Sequence, residues 1–199
     1  MATKTDIANF ALGHVGDASI ADVDAPTDEA GRVVNLWFKT ARRRVLRLAN
    51  WNCASKRVEI VSDATAPIYG YNNRYLLPGD YVRLVKVKNS GPGAEHSIES
   101  SYILTNLDSP IGIKYVFDEL DVSRYDEDLV QALAFMLAYY ISPKLAQSNT
   151  KRENLRNEAY AEANEARDVD TSGQAPQDIA GGSWIRARVQ QRDPTKWYG

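Results

Sequence analysis

Few side chains in this sequence are equipped for covalent or acid–base work. A nucleophilic site would pair Cys53 with His14 or His96, the thiolate attacking while the imidazole carries the proton. Cys53 sits in Trp51-Asn-Cys-Ala-Ser55 without a glycine-rich elbow, and a cysteine in such a setting reads as a small buried residue. Glycoside hydrolysis would need two carboxylates, which Asp118, Glu119 and Asp121 or Asp126, Glu127 and Asp128 could supply. The second trio is better explained as a helix start, where carboxylates meet the positive end of the helix dipole. Asp22 and Asp24 lack the spacing of a calcium loop, and neither a phosphate-cradling glycine loop nor Gly-x-Ser-x-Gly occurs. One cysteine and two histidines cannot build a Cys/His zinc cage. The expectation is a non-enzymatic protein without a metal or cofactor.

Two basic groups point to binding instead. At about 100° per residue, Lys39, Arg42, Arg43 and Arg47 fall opposite an apolar stripe of Val34, Trp37, Phe38, Ala41, Val45 and Leu48. Arg44 lies at the margin of the stripe, and Leu36 is off pattern. Such a face meets phosphates, or else stays solvated or pairs with carboxylates on a neighbouring helix or subunit, and a net charge of −2 favours the solvated or paired state. The second group is the segment Trp184, Ile185, Arg186, Arg188, Val189 and Arg192, followed by Trp197 and Tyr198. Aromatic and arginine side chains anchor interfaces, so this arm is expected to order against a partner. From Gln174 to Gly199 four Lys/Arg face two Asp, leaving the arm at +2 and the preceding body at −4.

The elements that must position these groups alternate in type. Helical spacing of Ile7, Phe10, Ala11, Leu12 and Val15 predicts a helix over about 5–15, and the amphipathic stripe predicts another over 27–49. Period-two segments then predict a small antiparallel β insertion over 55–117. Its strands are Lys56–Val61, Tyr69–Leu77, Tyr81–Val87, Ile98–Leu104 and Ile111–Phe117, with a type II turn at Leu77-Pro-Gly-Asp80. Leu129 to Ile141 is apolar nearly all round and predicts a buried helix over 126–142, ended or kinked by Pro143. Thr150-Lys-Arg-Glu153 reads as a capping box opening a last helix over 150–168. The expected fold is α+β: a helical bundle with a β insertion over residues 1–170, then a linker and extended C-terminal arm over 171–199.

The whole composition narrows the class. The chain has 199 residues, 44% of them hydrophobic, with 24 Lys+Arg against 26 Asp+Glu and a net charge of −2. These values exclude a wholly disordered chain and argue against coating nucleic acid by bulk charge. A transmembrane span, a membrane anchor and an amino-terminal signal peptide are not expected.

The order of these motifs resembles the tail tubular protein A family, the head-to-tail adaptors of short-tailed bacteriophages. The resemblance runs over residues 5–170 and is carried by Arg42-Arg-Arg-Val-Leu-Arg-Leu-Ala-Asn-Trp51-Asn-Cys-Ala54, then Tyr69-x-Tyr71-x-x-x-Tyr75-x-Leu77-Pro78-x-Asp80-x-x-Arg83-Leu-Val-x-Val87. Ile103-Leu-Thr105, Ile113-Lys-Tyr115-Val and Leu133-Ala-Phe-x-Leu137-Ala138 follow in the same order. It implies a helical core with a β insertion, assembled as a dodecameric homo-oligomeric ring. In the virion such a ring docks beneath the portal protein, supports the tail nozzle protein and surrounds the channel through which genomic DNA leaves. Trp51, Tyr75, Pro78 and Asp80 are the matched positions, with a fold-defining role and no catalysis. Under this resemblance the arm from Trp184 to Tyr198 meets the portal or a neighbouring subunit. The face of Lys39, Arg42, Arg43 and Arg47 lines the channel or pairs between subunits. The alternatives are a cell-wall-degrading virion hydrolase using Asp118 or Glu119, a head-completion connector of a long-tailed phage, and a free nucleic-acid-binding protein.

Overall fold

The computed structural model describes residues 2–88, 95–145 and 149–172, with side chains to residue 165. Helix α1 (Lys4–Val15) opens on a reciprocal cap: the Thr3 hydroxyl accepts from the Asp6 N–H, and the Asp6 carboxylate accepts from the Thr3 N–H. It stops at Gly16, whose φ of 85° suits only glycine comfortably, with its N–H on the Leu12 carbonyl. Helix α2 (Glu29–Leu46) begins where the Asp28 carboxylate caps the Gly31 N–H, a shorter span than 27–49. It buries Val34, Phe38, Ala41 and Val45 as the wheel requires, while Leu36 stands 71% exposed.

Helix α3 (Glu127–Leu145) is the centre of the bundle and packs against α1, α2 and a fourth helix, α4 (Asn149–Ser172). The Asp126 carboxylate caps it at the Leu129 N–H. Pro143 does not end it, correcting the expected stop at 142. Proline has no N–H to give the carbonyl four residues back, and the Ser142 hydroxyl donates to that Tyr139 carbonyl at 3.0 Å instead. Thr150 lies within the first turn of α4 rather than at its cap, so the capping-box reading is also corrected. Among the residues of α4 with described side chains, Leu155, Ala159 and Ala163 are buried. The helix runs through Ser172, two residues into the expected linker; residues 173–199, including the whole arm from Trp184 to Tyr198, lie outside the described residues.

The insertion holds six strands: β1 (Ser55–Ile60), β2 (Asn73–Leu76), β3 (Tyr81–Val87), β4 (His96–Glu99), β5 (Tyr102–Thr105) and β6 (Ile111–Phe117). They form two antiparallel sheets rather than one, in the orders β1-β6-β3 and β2-β5-β4. The expected single strand Ile98–Leu104 is a hairpin that reverses at Ser100-Ser101, with Ser100 at a φ of 54°. The turn before β3 is shifted by one residue: the Tyr81 N–H bonds the Pro78 carbonyl, so Gly79 and Asp80 are its central residues. Gly79 is not at positive φ, which excludes the expected type II geometry. Apolar residues of both sheets, among them Tyr75, Ile103, Ile113 and Tyr115, join the helices in one continuous core. The fold is mixed α+β.

Candidate functional site

The end of α2 and the end of β6 meet in a polar joint. The Arg42 side chain, which the wheel placed on the outward face, is drawn in and leaves the residue only 9% exposed. Its Nε donates to Asp118 Oδ1 at 2.9 Å, and Arg43 Nη1 reaches Asp118 Oδ2 at 3.3 Å. Arg47 Nη1 donates to the Val82 carbonyl at 3.2 Å, tying the helix to β3. The proposed continuous basic face of Lys39, Arg42, Arg43 and Arg47 is therefore broken up, because three of its four members are committed within the chain. Lys39 remains exposed without an ion pair among the described residues.

Directly beyond this joint lies a second one. The Asp118 N–H donates to the Asp80 carbonyl at 2.8 Å. The Asp80 carboxylate accepts from the Tyr115 hydroxyl at 2.9 Å and from Lys56 Nζ at 2.8 Å. Burial alone would raise the Asp80 pKa, but these two hydrogen bonds outweigh it and hold the carboxyl below its ordinary value. Burial and the Asp80 carboxylate act together on Tyr115, whose hydroxyl is pushed up to about 12. Lys56 also stands 3.7 Å above the Phe117 ring.

The other residues that carry the resemblance serve the same junction or the outer sheet. Trp51 is buried, and its Nε1 donates to the Val45 carbonyl at 3.0 Å, fixing the exit of the chain from α2. Pro78 supplies the carbonyl of the turn before β3. Tyr75 is fully buried, its hydroxyl donating to the Leu107 carbonyl at 2.7 Å. Each of these four positions thus holds one piece of backbone against another.

The residues with conceivable chemistry are not brought together. Burial pushes the Cys53 thiol up to about 11, which keeps it protonated and a poor nucleophile at neutral pH. His14 stacks on Phe135 at 4.2 Å and its pKa is lowered by burial, while His96 opens β4. Asp118 is taken by two arginines. Glu119 is buried, with its Oε1 accepting from the Asp121 N–H and Arg124 at 3.7 Å from its Oε2. Asp121 caps the short turn at Ser123, and Asp126 caps α3. Among the described residues no three His, Cys, Asp or Glu side chains are placed to share a metal, and no helix is long and apolar enough to cross a membrane.

Sequence reasoning missed the open side of the second sheet. Pro67 to Tyr71 pass beside Arg74, Tyr102 and Leu104 and enclose a shallow groove of about 350 Å³. At its rim Ile68 is 100% exposed and Tyr69 87% exposed, and Leu76, on the same side of β2 as Arg74, is also exposed. Arg74 is held between Asp63 at 3.2 Å and the Tyr102 ring at 4.8 Å. The signal available in the sequence was Ile68-Tyr69-Gly-Tyr71, an apolar run just before a strand. Neither a known protein family nor a curated protein matches this chain.

Proposed function

We propose that this chain is a virion structural protein, a head-to-tail adaptor that assembles as a homo-oligomeric ring on the portal protein of a short-tailed phage. In this reading the ring is dodecameric, carries the tail nozzle protein and encloses the channel for the genomic DNA. The observation that carries the proposal is the apolar rim of the second sheet. Fully exposed Ile68, with Tyr69 and Leu76 near it, is surface that a lone soluble chain gains nothing by displaying and an assembling subunit can bury. The order of matched motifs supports it, since Trp51 ties α2 to the insertion while Tyr75, Pro78 and Asp80 hold its strands and turns in place. The hydrolase alternative is less favoured, because Asp118 and Glu119 are held by arginines instead of facing a cleft.

The test is the mass of the full chain alone and with its cognate portal, by light scattering after size-exclusion chromatography. A ring on the portal is the expected result. Deleting residues 173–199 is expected to abolish portal binding while thermal unfolding of the body stays cooperative. Full-strength binding by the truncated chain would remove the arm from the interface, and no binding by the full chain would end the adaptor reading.

A further inference from the structure

Besides Arg83, which lies opposite Val116 and donates to Asn50, four cations share one face of the first sheet, and none of them forms an ion pair among the described residues. The strand register sets Arg57 of β1, Lys114 of β6 and Lys86 of β3 side by side in one row. Lys88 follows β3, and its stem crosses Gly112: a Cβ added there would meet Lys88 Cβ and Cδ at 3.1 Å. Gly112 and Lys114 point to the same side of β6, so Lys88 belongs to this face as well. Among the described residues of the three strands, Glu59, opposite Gly112, is the single carboxylate on this side. Among the described residues none of these five side chains forms an ion pair.

Like charges placed directly opposite on adjacent strands repel, so this row costs the isolated chain stability. Strands stand about 4.8 Å apart, which concentrates the charge in a narrow band. A polyanion laid across it reverses the sign of that interaction and releases counterions. The residue types distinguish between polyanions. Lysine is depleted from the cores of protein–protein interfaces, and three of these four cations are lysines. Among the described residues of the three strands no aromatic ring lies on this side for an unpaired base to stack on, which disfavours single strands.

We propose that this face binds the phosphate backbone of double-stranded DNA without regard to sequence. The inference deepens the adaptor reading and rests on it for its place in the assembly, where this sheet face is the one turned toward the channel. Binding of duplex by the isolated chain needs no ring and is tested separately.

The experiment is fluorescence anisotropy of the full chain with a labelled duplex of about 30 base pairs, from about 50 to 200 mM salt. Four phosphate contacts predict a log–log salt slope of about −3.6, at about 0.9 per contact. Replacing Lys86→Gln and Lys114→Gln together is expected to shallow that slope by about 2, whereas Lys39→Gln on α2 leaves it unchanged. No duplex binding at the lowest salt overturns the proposal, as does a wild-type slope in the double variant. Tighter binding of polyglutamate, or of an equally charged single strand, also overturns it and assigns the face to that polymer. A chain that assembles on the portal while the double variant keeps its slope defeats this inference alone. Duplex binding with the expected slope in a chain that never assembles defeats the ring alone.

Discussion

The basic side of α2 and the basic face of the first sheet carry cations in similar number, yet the chain treats them in opposite ways. On α2, Arg42 and Arg43 are drawn onto Asp118 and Arg47 onto the Val82 carbonyl, so the charge is spent on joining helix to sheet. On the sheet, Arg57, Lys86, Lys88 and Lys114 stand together with no carboxylate within ion-pair distance among the described residues. Arginine occupies the joint, where a planar fork can serve a carboxylate and a backbone carbonyl in fixed geometry. Lysine dominates the open face, where a mobile point charge suffices. Charge that holds a fold together and charge that remains available to a partner are told apart by their partners, not by their density.

The comparison is broken most forcefully at Arg42. Replacing Arg42→Ala leaves a nearly buried Asp118 carboxylate with only the half-exposed Arg43, and a loss of about 3–5 kcal/mol in urea-unfolding stability is expected. A loss below about 1 kcal/mol would show that apolar packing alone carries the joint and that α2's charges are no different from the sheet's. Acid attacks the neighbouring contact. Because the Asp80 pKa is lowered in the folded chain, its contribution is present at neutral pH and disappears as pH falls through that lowered value. The urea midpoint of the wild type is therefore expected to fall more steeply below about pH 4 than that of Asp80→Asn. Parallel pH profiles would deny Asp80 its role. The smallest effect belongs to the sheet, where Lys114→Gln relieves repulsion from two flanking cations and is expected to raise stability by about 0.2–1 kcal/mol. A destabilised Lys114→Gln would mean that the row has a structural partner after all.

These outcomes also mark where the sequence was readable. The apolar run of α3 and the stripe of α2 appear as helices because burial of a continuous face dominates everything else there. Tyr81–Val87 and Ile111–Phe117 appear as strands for the same reason at period two. Ser100-Ser101 gave no sign of reversing the chain, since neither residue is the glycine or asparagine that usually accepts a left-handed φ. Pro143 lies inside α3, where the Ser142 hydroxyl takes up the Tyr139 carbonyl that the proline leaves without an N–H, a detail no breaker rule contains. The fate of Arg42 was illegible from α2 itself, because its carboxylate lies 76 residues further along the chain. The cation row was hidden for a related reason: Arg57, Lys86 and Lys114 come from three separate strands and become neighbours only through register.

The two-sheet topology has a mechanical side. The backbone leaves and re-enters the first sheet so that, among the described residues, the outer sheet is reached by three complete connections, over residues 61–72, 77–80 and 106–110. A body hung on a single strap swings, but one suspended by three resists both tilt and torsion. A pull on the outer sheet is therefore shared among β1, β3 and β6, and leaves the insertion at three clamped points: the Trp51 indole on Val45, the Asp118 carboxylate on Arg42 and the Val82 carbonyl on Arg47. All three grip the last turns of α2 or its cap, so that helix end is the fulcrum through which load on the outer sheet becomes strain in the bundle.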